Sequence, residues 1–486
     1  MKKQESLKLN AIYNTIYQVL TIITPFITTP YVSRVLGPSG TGTYSYTQSY
    51  ANYFFLFAML GVNNYGNRRI AQYRDNRKDL SDNFWQIYYI QFFDTLIILP
   101  LYMAFVYLFT NPANRVISLV QGLQVVSVFF DINWLLFGLE KFKISTIRNI
   151  IVKIFTVVSI FIFVRASGDV WKYALIIVLG TIIGVLVIWP TAMREVDFEW
   201  PNFAKMRKHF KPNFILFLPL LASGIYQYVD TIMLGMFTNS ANVGYYTYAS
   251  NLINVPSTIV TGICTVIMPR MSYLVKNSND DTQNLILEKT MKFVFIFSVA
   301  MACGLISVAD SFIPIYLGPK FHPAIYLLQL LSLMLPVFVY ANAFRMVYLI
   351  PNEDDTIYIV SIITGAVLDI IGNYLLIHVM NLGAVGACLA TMFASTVAFL
   401  LQVIYTWKEL PYLKWIKQYL PFVLSGLIMM AVIYGIKMFH LYIAIELIVS
   451  VIVGAIIFIA TSIAILFMQK DTMMTGLISN IIRRKS

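Results

Sequence analysis

The chain reads as an all-α polytopic membrane protein of about fourteen transmembrane helices. Three observations predict this. Of its 486 residues, 58% are hydrophobic and only 12% are charged, whereas soluble domains carry about 25% charged residues. Charge-free runs recur at 9–33, 35–67, 173–193, 231–269, 370–407 and 447–469, and about 20 apolar residues suffice for one helix to cross a bilayer. The third observation is the sidedness of the positive charge. Together they exclude a soluble enzyme, a disordered chain and a nucleic-acid binder. The net charge of +12 then records topology rather than affinity for nucleic acid.

Splitting the runs at Gly, Pro and Asn clusters gives spans at 10–33, 42–62, 84–110, 115–139, 146–166, 170–190, 212–238, 246–269, 292–311, 323–350, 356–378, 383–406, 417–437 and 442–468. With the N-terminus inside, 27 of the 35 Lys and Arg residues fall on inner segments and 6 on outer ones. Lys153 and Arg345 are left at membrane depth. A span missed or added mid-chain would scramble this bias, so both termini are expected in the cytoplasm. The first apolar stretch is longer than the apolar core of a leader, about 7–15 residues, and no small-residue cleavage site follows, so it is expected to persist as a span. The loops are too short to bury a core of their own, and function must lie within the helices or at their mouths. Cys264, Cys303 and Cys388 sit in apolar runs without metal-ligand spacing and are expected to be buried thiols.

The sequence repeats internally. Tyr31-Val32-Ser33-Arg34-Val35-Leu36-Gly37 followed by Gly42-Thr43-Tyr44-Ser45-Tyr46 returns as Tyr228-Val229-Asp230-Thr231-Ile232-Met233-Leu234-Gly235 followed by Gly244-Tyr245-Tyr246-Thr247-Tyr248. An even number of spans separates the copies, so they run parallel. Parallel repeats related by an axis along the membrane normal enclose a central cavity in transporters. The expected domains are a lobe at 1–200, a second at 201–408, and two further helices with a cytoplasmic tail at 409–486.

No phosphate-binding loop, HExxH or GxSxG occurs, and His209, His322, His378 and His440 are scattered. Catalysis is disfavoured, and no cofactor or metal is implied. What remains is a set of ionisable residues at membrane depth, each costing about 2.5–3.5 kcal/mol on insertion scales unless paired or wetted. Arg34, Arg148, Lys153 and Arg345 are cations suited to an anionic group such as a pyrophosphate, which Arg grips through its fork of N–H donors. Asp131, Asp230 and Asp369 are candidates for coupling to H+ or Na+, for gating, or for pairing with a base; Arg34 and Asp230 fall in corresponding stretches of the two repeat copies. Asp94, Asp310 and Glu446 are read as snorkelling near span ends. Tyr46, Tyr50 and Tyr53 share one helical face, where they either stack on sugar rings or serve as an aromatic belt.

Pro30-Tyr31-Val32-Ser33-Arg34-Val35-Leu36-Gly37-Pro38, then Gly61 and Gly66-Asn67-Arg68-Arg69-Ile70-Ala71, resemble the N-terminal signature of polysaccharide-transport proteins. These are the Wzx-type flippases of the multidrug/oligosaccharidyl-lipid/polysaccharide exporter superfamily, which also holds the MATE transporters. Asp131-Ile132-Asn133-Trp134-Leu135-Leu136-Phe137-Gly138-Leu139-Glu140-Lys141-Phe142-Lys143 is similar to a second family motif, departing at Phe137, where the family often has Gln. Gly383-Ala384-Val385-Gly386-Ala387 gives a weaker match. The resemblance implies two six-helix lobes, alternating access, and a polyprenyl-pyrophosphate-linked oligosaccharide as cargo, moved across the bacterial cytoplasmic membrane for exopolysaccharide, capsule or wall-polymer synthesis. Its partners would be that cargo, membrane lipids and other polysaccharide-assembly proteins. A cation-coupled multidrug antiporter would instead want an acidic cavity. A membrane polymerase would want a long outer loop, which the sequence lacks, and a non-transporting scaffold would pair its charges internally.

Overall fold

A computed structural model describes residues 2–277 and 280–469, the side chains of 2–23, Phe142, Ala222, Tyr226 and Asp280 excepted. Among the described residues the chain is built of helices, without strands. Among the described residues, eleven helices are long and apolar enough to cross a membrane, or twelve if the two halves of a bent helix count as one span. They carry the twelve expected spans from 84–110 onward. The other two, 10–33 and 42–62, fall on α1 (Lys2–Met59), whose side chains as far as residue 23 lie outside those described, and the count of fourteen is not confirmed. Two compact units divide the chain, Met1–Gly244 and Tyr245–Ser486.

In the first unit, α1 is two helices joined at Gly37, whose φ of 67° and ψ of 179° break the ladder. Pro38 excludes the helical region for the residue before it, and only glycine enters this left-handed geometry cheaply. Next come α2 (Val62–Tyr73) and α3 (Arg77–Phe109), the latter capped by the Asn76 side chain, which accepts from the backbone of Lys78 and Asp79. Then follow α4 (Arg115–Ser127), α5 (Asn133–Gly138), α6 (Phe142–Phe163), α7 (Val170–Leu186), α8 (Trp189–Glu195) and α9 (Phe203–Phe237), which bends between Ile225 and Gln227.

Two expectations need correction here. The span read at 115–139 ends early: α4 passes into a 3₁₀ turn at Val128–Phe130, and Asp131 is extended at φ −82°, ψ 97°. Its carboxylate Oδ1 accepts the Asn133 N–H at 3.1 Å, an Asx turn that starts α5 instead of continuing α4. Asp131 therefore sits at a helix break rather than inside a span. The inner segment read as the loop 63–83 holds α2, an amphipathic helix that buries Val62, Tyr65, Gly66 and Ile70 and leaves Asn63, Asn64 and Asn67 exposed. Its apolar face joins Phe84, Trp85, Trp134 and Leu135 in a buried cluster.

The second unit takes in most of α10 (Ser240–Lys276), with α11 (Asp280–Tyr316), α12 (Ala324–Phe344), α13 (Asp355–Asn373), α14 (Gly383–Tyr405), α15 (Tyr412–Lys437) and α16 (Ile443–Met468). Short π-helical turns, Arg345–Leu349 and Tyr374–Val379, extend α12 and α13. α15 packs on α11 at a small residue, and α16 on α15 at another: a Cβ on Gly426 would stand 2.6 Å from Cys303 Sγ and one on Gly454 2.8 Å from Ile433 Cδ1, the close approach that drives association where lipid supplies no hydrophobic force. Asp310 pairs with Lys437, and Ser311 donates to Glu446 at 2.6 Å, so two of the three carboxylates set aside as snorkelling tie α11 to α15 and α16. Cys264 and Cys388 are buried.

Candidate functional site

The first unit holds a cavity of about 850 Å³, within the range of about 300–1,000 Å³ typical of small-molecule sites. It is bounded by α2, the Asp131–Phe137 segment, α6 and α7, and touches Thr24 of α1. Of the residues singled out from sequence, Asp131, Arg148 and Lys153 line it.

One wall is fixed by glycine. A Cβ on Gly66 would fall 2.5 Å from Trp134 Cε3, and one on Gly138 would fall 2.6 Å from Ile70 Cβ. α2 and α5 can approach this closely only because each offers a bare backbone to the other's bulky side chain. An ion pair closes the same junction: Arg74 Nη1 to Glu140 Oε1, 2.7 Å. The Glu140 hydrogen bond and charge raise the Arg74 pKa above its ordinary value. Gly61 turns the chain into α2 at φ 77°, with its Cα side against the Asn213 carbonyl and the Phe217 amide of α9.

The opposite wall is α6 on α7. Gly180 and Gly184, spaced by four on α7, admit α6 closely; a Cβ on Gly180 would lie 2.6 Å from Thr156 Oγ1. Near its C-terminal end α7 has carbonyls without intrahelical partners, and Arg148 Nη1 donates to one of them, Gly184 O, at 3.0 Å. The same Nη1 reaches Asn133 Oδ1 at 3.0 Å, while Nε and Nη2 both reach Asn149 Oδ1 at 3.1 and 2.6 Å. Four of the five guanidinium N–H groups are thereby committed to neutral oxygens, and the residue is 8% exposed. Asn133 is held in turn, its Nδ2 donating to Asp131 Oδ1 at 2.6 Å. The backbone oxygen of Asp131 accepts from Gln91, which also accepts from the Trp134 indole at 3.2 Å. Arg148 thus brings positive charge to the cavity while spending most of its donors on the wall; Lys153, half-buried and further along α6, lines the cavity as well.

A family model described as "Polysaccharide biosynthesis protein" matches residues 7–275, a stretch that contains the whole cavity. The chain belongs to this family. The Escherichia coli (strain K12) protein named "Putative O-antigen transporter" is 26% identical over 336 residues, covering 67% of this chain and 79% of that one. Among solved structures, "Lipid II flippase MurJ, inward closed conformation" superposes with a TM-score of 0.75 at 15% identity, over 94% of this chain and 98% of that one. An inward-facing multidrug resistance MATE family transporter of the MOP superfamily gives 0.62 at 13% identity, over 80% and 95%. These likenesses establish the fold: an all-α, multi-pass membrane protein of the MurJ and MATE type.

The other residues predicted from sequence lie elsewhere in the chain. Arg34 is exposed on α1 and Asp230 is buried on α9. The tyrosine stripe divides. Tyr50 is buried and bonds through its hydroxyl to Ser118, with Tyr102 and Phe105 against its ring. Tyr46 lies over Gly235, and Tyr53 donates to Gly224 O at 3.0 Å, both on α9. None of the three lines the 850 Å³ cavity. In the second unit Arg345 is half-buried and donates to Asn342 at 3.3 Å, and Asp369 is buried one turn from buried Asn373. The sequence reading passed over Asn63, Asn64, Asn67 and Asn133, which line the cavity. The signal was there: three asparagines on the polar face of a helix whose other face is apolar, inside the stretch that carries the family signature.

Proposed function

We propose that this protein is a flippase, carrying a polyprenyl-pyrophosphate-linked oligosaccharide from the inner to the outer leaflet of the bacterial cytoplasmic membrane by alternating access, for surface-polysaccharide synthesis. The observation that carries this reading is the cavity itself. It pairs a cationic wall, Arg148 and Lys153 on α6, with an uncharged polar wall on α2. The physical obstacle to flipping is moving a charged, hydroxyl-rich headgroup through hydrocarbon, while the polyprenyl tail can stay in lipid. A polar, positively charged hollow at membrane depth lowers that barrier. Family membership and the "Putative O-antigen transporter" likeness support the same cargo class.

In this reading Lys153 contacts the pyrophosphate and Arg148 supplies field from within the wall. Arg34 and Arg345 are further cationic positions along the path, with Tyr46 and Tyr53 the ring-stacking candidates. Asp230 and Asp369 are the candidates for H+ or Na+ coupling, and Asp131 orients Asn133. Both termini lie in the cytoplasm, in keeping with the charge bias of the loops, and the protein works beside other polysaccharide-assembly proteins. The test is deletion of the gene followed by a leaflet assay for lipid-linked repeat units. Accumulation on the cytoplasmic leaflet is expected. Normal export with altered efflux of cationic dyes would replace this reading with the multidrug antiporter.

A further inference from the structure

We propose that Asn63, Asn64 and Asn67 form the saccharide-reading wall of the cavity, so that selectivity among cargoes resides on α2 and charge recognition on α6. The proposal rests on the flippase reading and deepens it.

All three residues line the cavity and are exposed within the first turns of α2. Among the described residues, none of their side-chain amides has a hydrogen-bond partner, whereas the side-chain oxygens of Asn133 and Asn149, which line the same cavity, are committed to Arg148. Asn133 is committed at both ends, to Asp131 and to Arg148. Asn149 gives its oxygen to Arg148 twice. The α2 amides thus place three neighbouring side chains with capacity in both senses on one helix of the cavity wall, since each offers two N–H donors and a carbonyl acceptor. A sugar hydroxyl is likewise donor and acceptor, and it carries no charge. A phosphate carries charge and only accepts, so it is served by Lys153 and Arg148 across the cavity rather than by neutral amides.

The wall is also rigid, which discrimination requires. α2 is anchored by Gly61 against α9, by Gly66 under Trp134, by Ile70 over Gly138 and by the Arg74–Glu140 pair. A site that hydrogen-bonds hydroxyls through fixed groups rejects an analogue lacking them far more strongly than an apolar pocket rejects a missing methylene.

The experiment uses full-length protein in lipid nanodiscs and two probes. One is polyprenyl pyrophosphate; the other is the same lipid carrying the repeat unit, extracted from source cells in which the gene is deleted. The wild type is expected to prefer the saccharide-bearing probe. Asn64→Ala and Asn67→Ala are each expected to weaken that preference, and the combined change with Asn63→Ala to abolish it, with binding of the bare pyrophosphate unchanged. Lys153→Gln is expected to weaken both probes alike. If the triple variant keeps the wild-type preference, or loses both probes equally while its melting temperature holds, the amide wall does not read sugar and the flippase reading survives. If wild-type protein binds neither probe, the flippase reading falls and takes this inference with it.

Discussion

The indole of Trp134 occupies the space where any side chain on residue 66 would begin: a Cβ there would stand 2.5 Å from Cε3 and 2.7 Å from Cδ2. The two residues belong to two different sequence signatures, and their contact presses α2 onto α5 at the edge of the cavity. Ring atoms of a buried Trp held by a hydrogen bond to Gln91 have little room to retreat. Gly66→Ala is therefore expected to destabilise the protein by about 1–3 kcal/mol, the usual cost of overpacking. Shrinking the ring should relieve it, so Trp134→Leu combined with Gly66→Ala is expected to be less destabilised than the sum of the single changes. Thermal unfolding of the purified variants reads this directly, and strict additivity would mean the two residues do not press on one another.

Arg148 and Lys153 carry the same charge in the same cavity but are built for different tasks, and substitution should separate them. Arg148→Lys retains the charge and loses the fork that serves Asn133, Asn149 and Gly184 together. Each buried acceptor left unserved costs about 1–3 kcal/mol, so a clear drop in melting temperature is expected, with whatever protein folds still exporting polysaccharide. Lys153→Gln should cut headgroup binding roughly ten- to hundredfold, the worth of about 1.5–3 kcal/mol for a charged hydrogen bond. The opposite pattern, a stable Arg148→Lys and an active Lys153→Gln, would reverse the assignment.

The spans were legible because the bilayer imposes one length and one composition on each of them. Where structure departs from that rule, the sequence carried no bulk signal. Asp131 looked like a charge inside a span, since 115–139 is apolar around it; a local turn with Asn133, invisible to hydropathy, ends the helix there. Arg148 and Lys153 stood out because charges at depth are costly. Asn63, Asn64 and Asn67 did not, because amides cost less, and their importance lies in which helix face they share rather than in their number. Tyr46, Tyr50 and Tyr53 show the converse. Their spacing was read as one face, but a helix surrounded by other helices has several contacting sides, and Tyr50 turns to Ser118 while Tyr53 turns to α9.

Asp169 stands at the corner between α6 and α7 and gives a pH dependence with a definite sign. Lys172 Nζ lies 2.7 Å from its Oδ1, and the backbone amides of Arg165 and Ala166 donate to Oδ2 at 2.9 and 3.0 Å. The Lys172 hydrogen bond, then the two amides, pull its pKa down to about 2. A carboxylate depressed in the folded state stabilises above its unfolded value of about 3.9, and that contribution disappears as pH falls through the folded value. Asp169→Asn is accordingly expected to lower the melting temperature at neutral pH. The gap from wild type should stay constant down to about pH 4 and narrow as acid is added beyond it. A gap that widens in acid would contradict the ion pair as its source.

Gly42 and Gly244, equivalent positions of the sequence repeat, meet within the first unit in a reciprocal contact. A Cβ on Gly42 would lie 1.6 Å from the Ser240 carbonyl oxygen, and one on Gly244 would lie 2.3 Å from the Pro38 carbonyl oxygen. Pro38 stands to Gly42 in sequence as Ser240 stands to Gly244, so each copy of the motif lays its glycine on the other's preceding turn, as a local two-fold relation requires. Both obstacles are backbone, which cannot rotate aside as a side chain can. Gly42→Ala is expected to force the second half of α1 away from the start of α10, with a loss of stability at or beyond the upper end of about 1–3 kcal/mol and a loss of export. Gly168→Ala supplies the control, because a Cβ there meets nothing within 4 Å. Equal melting temperatures and equal export for the two variants would show that the helices do not touch at Gly42.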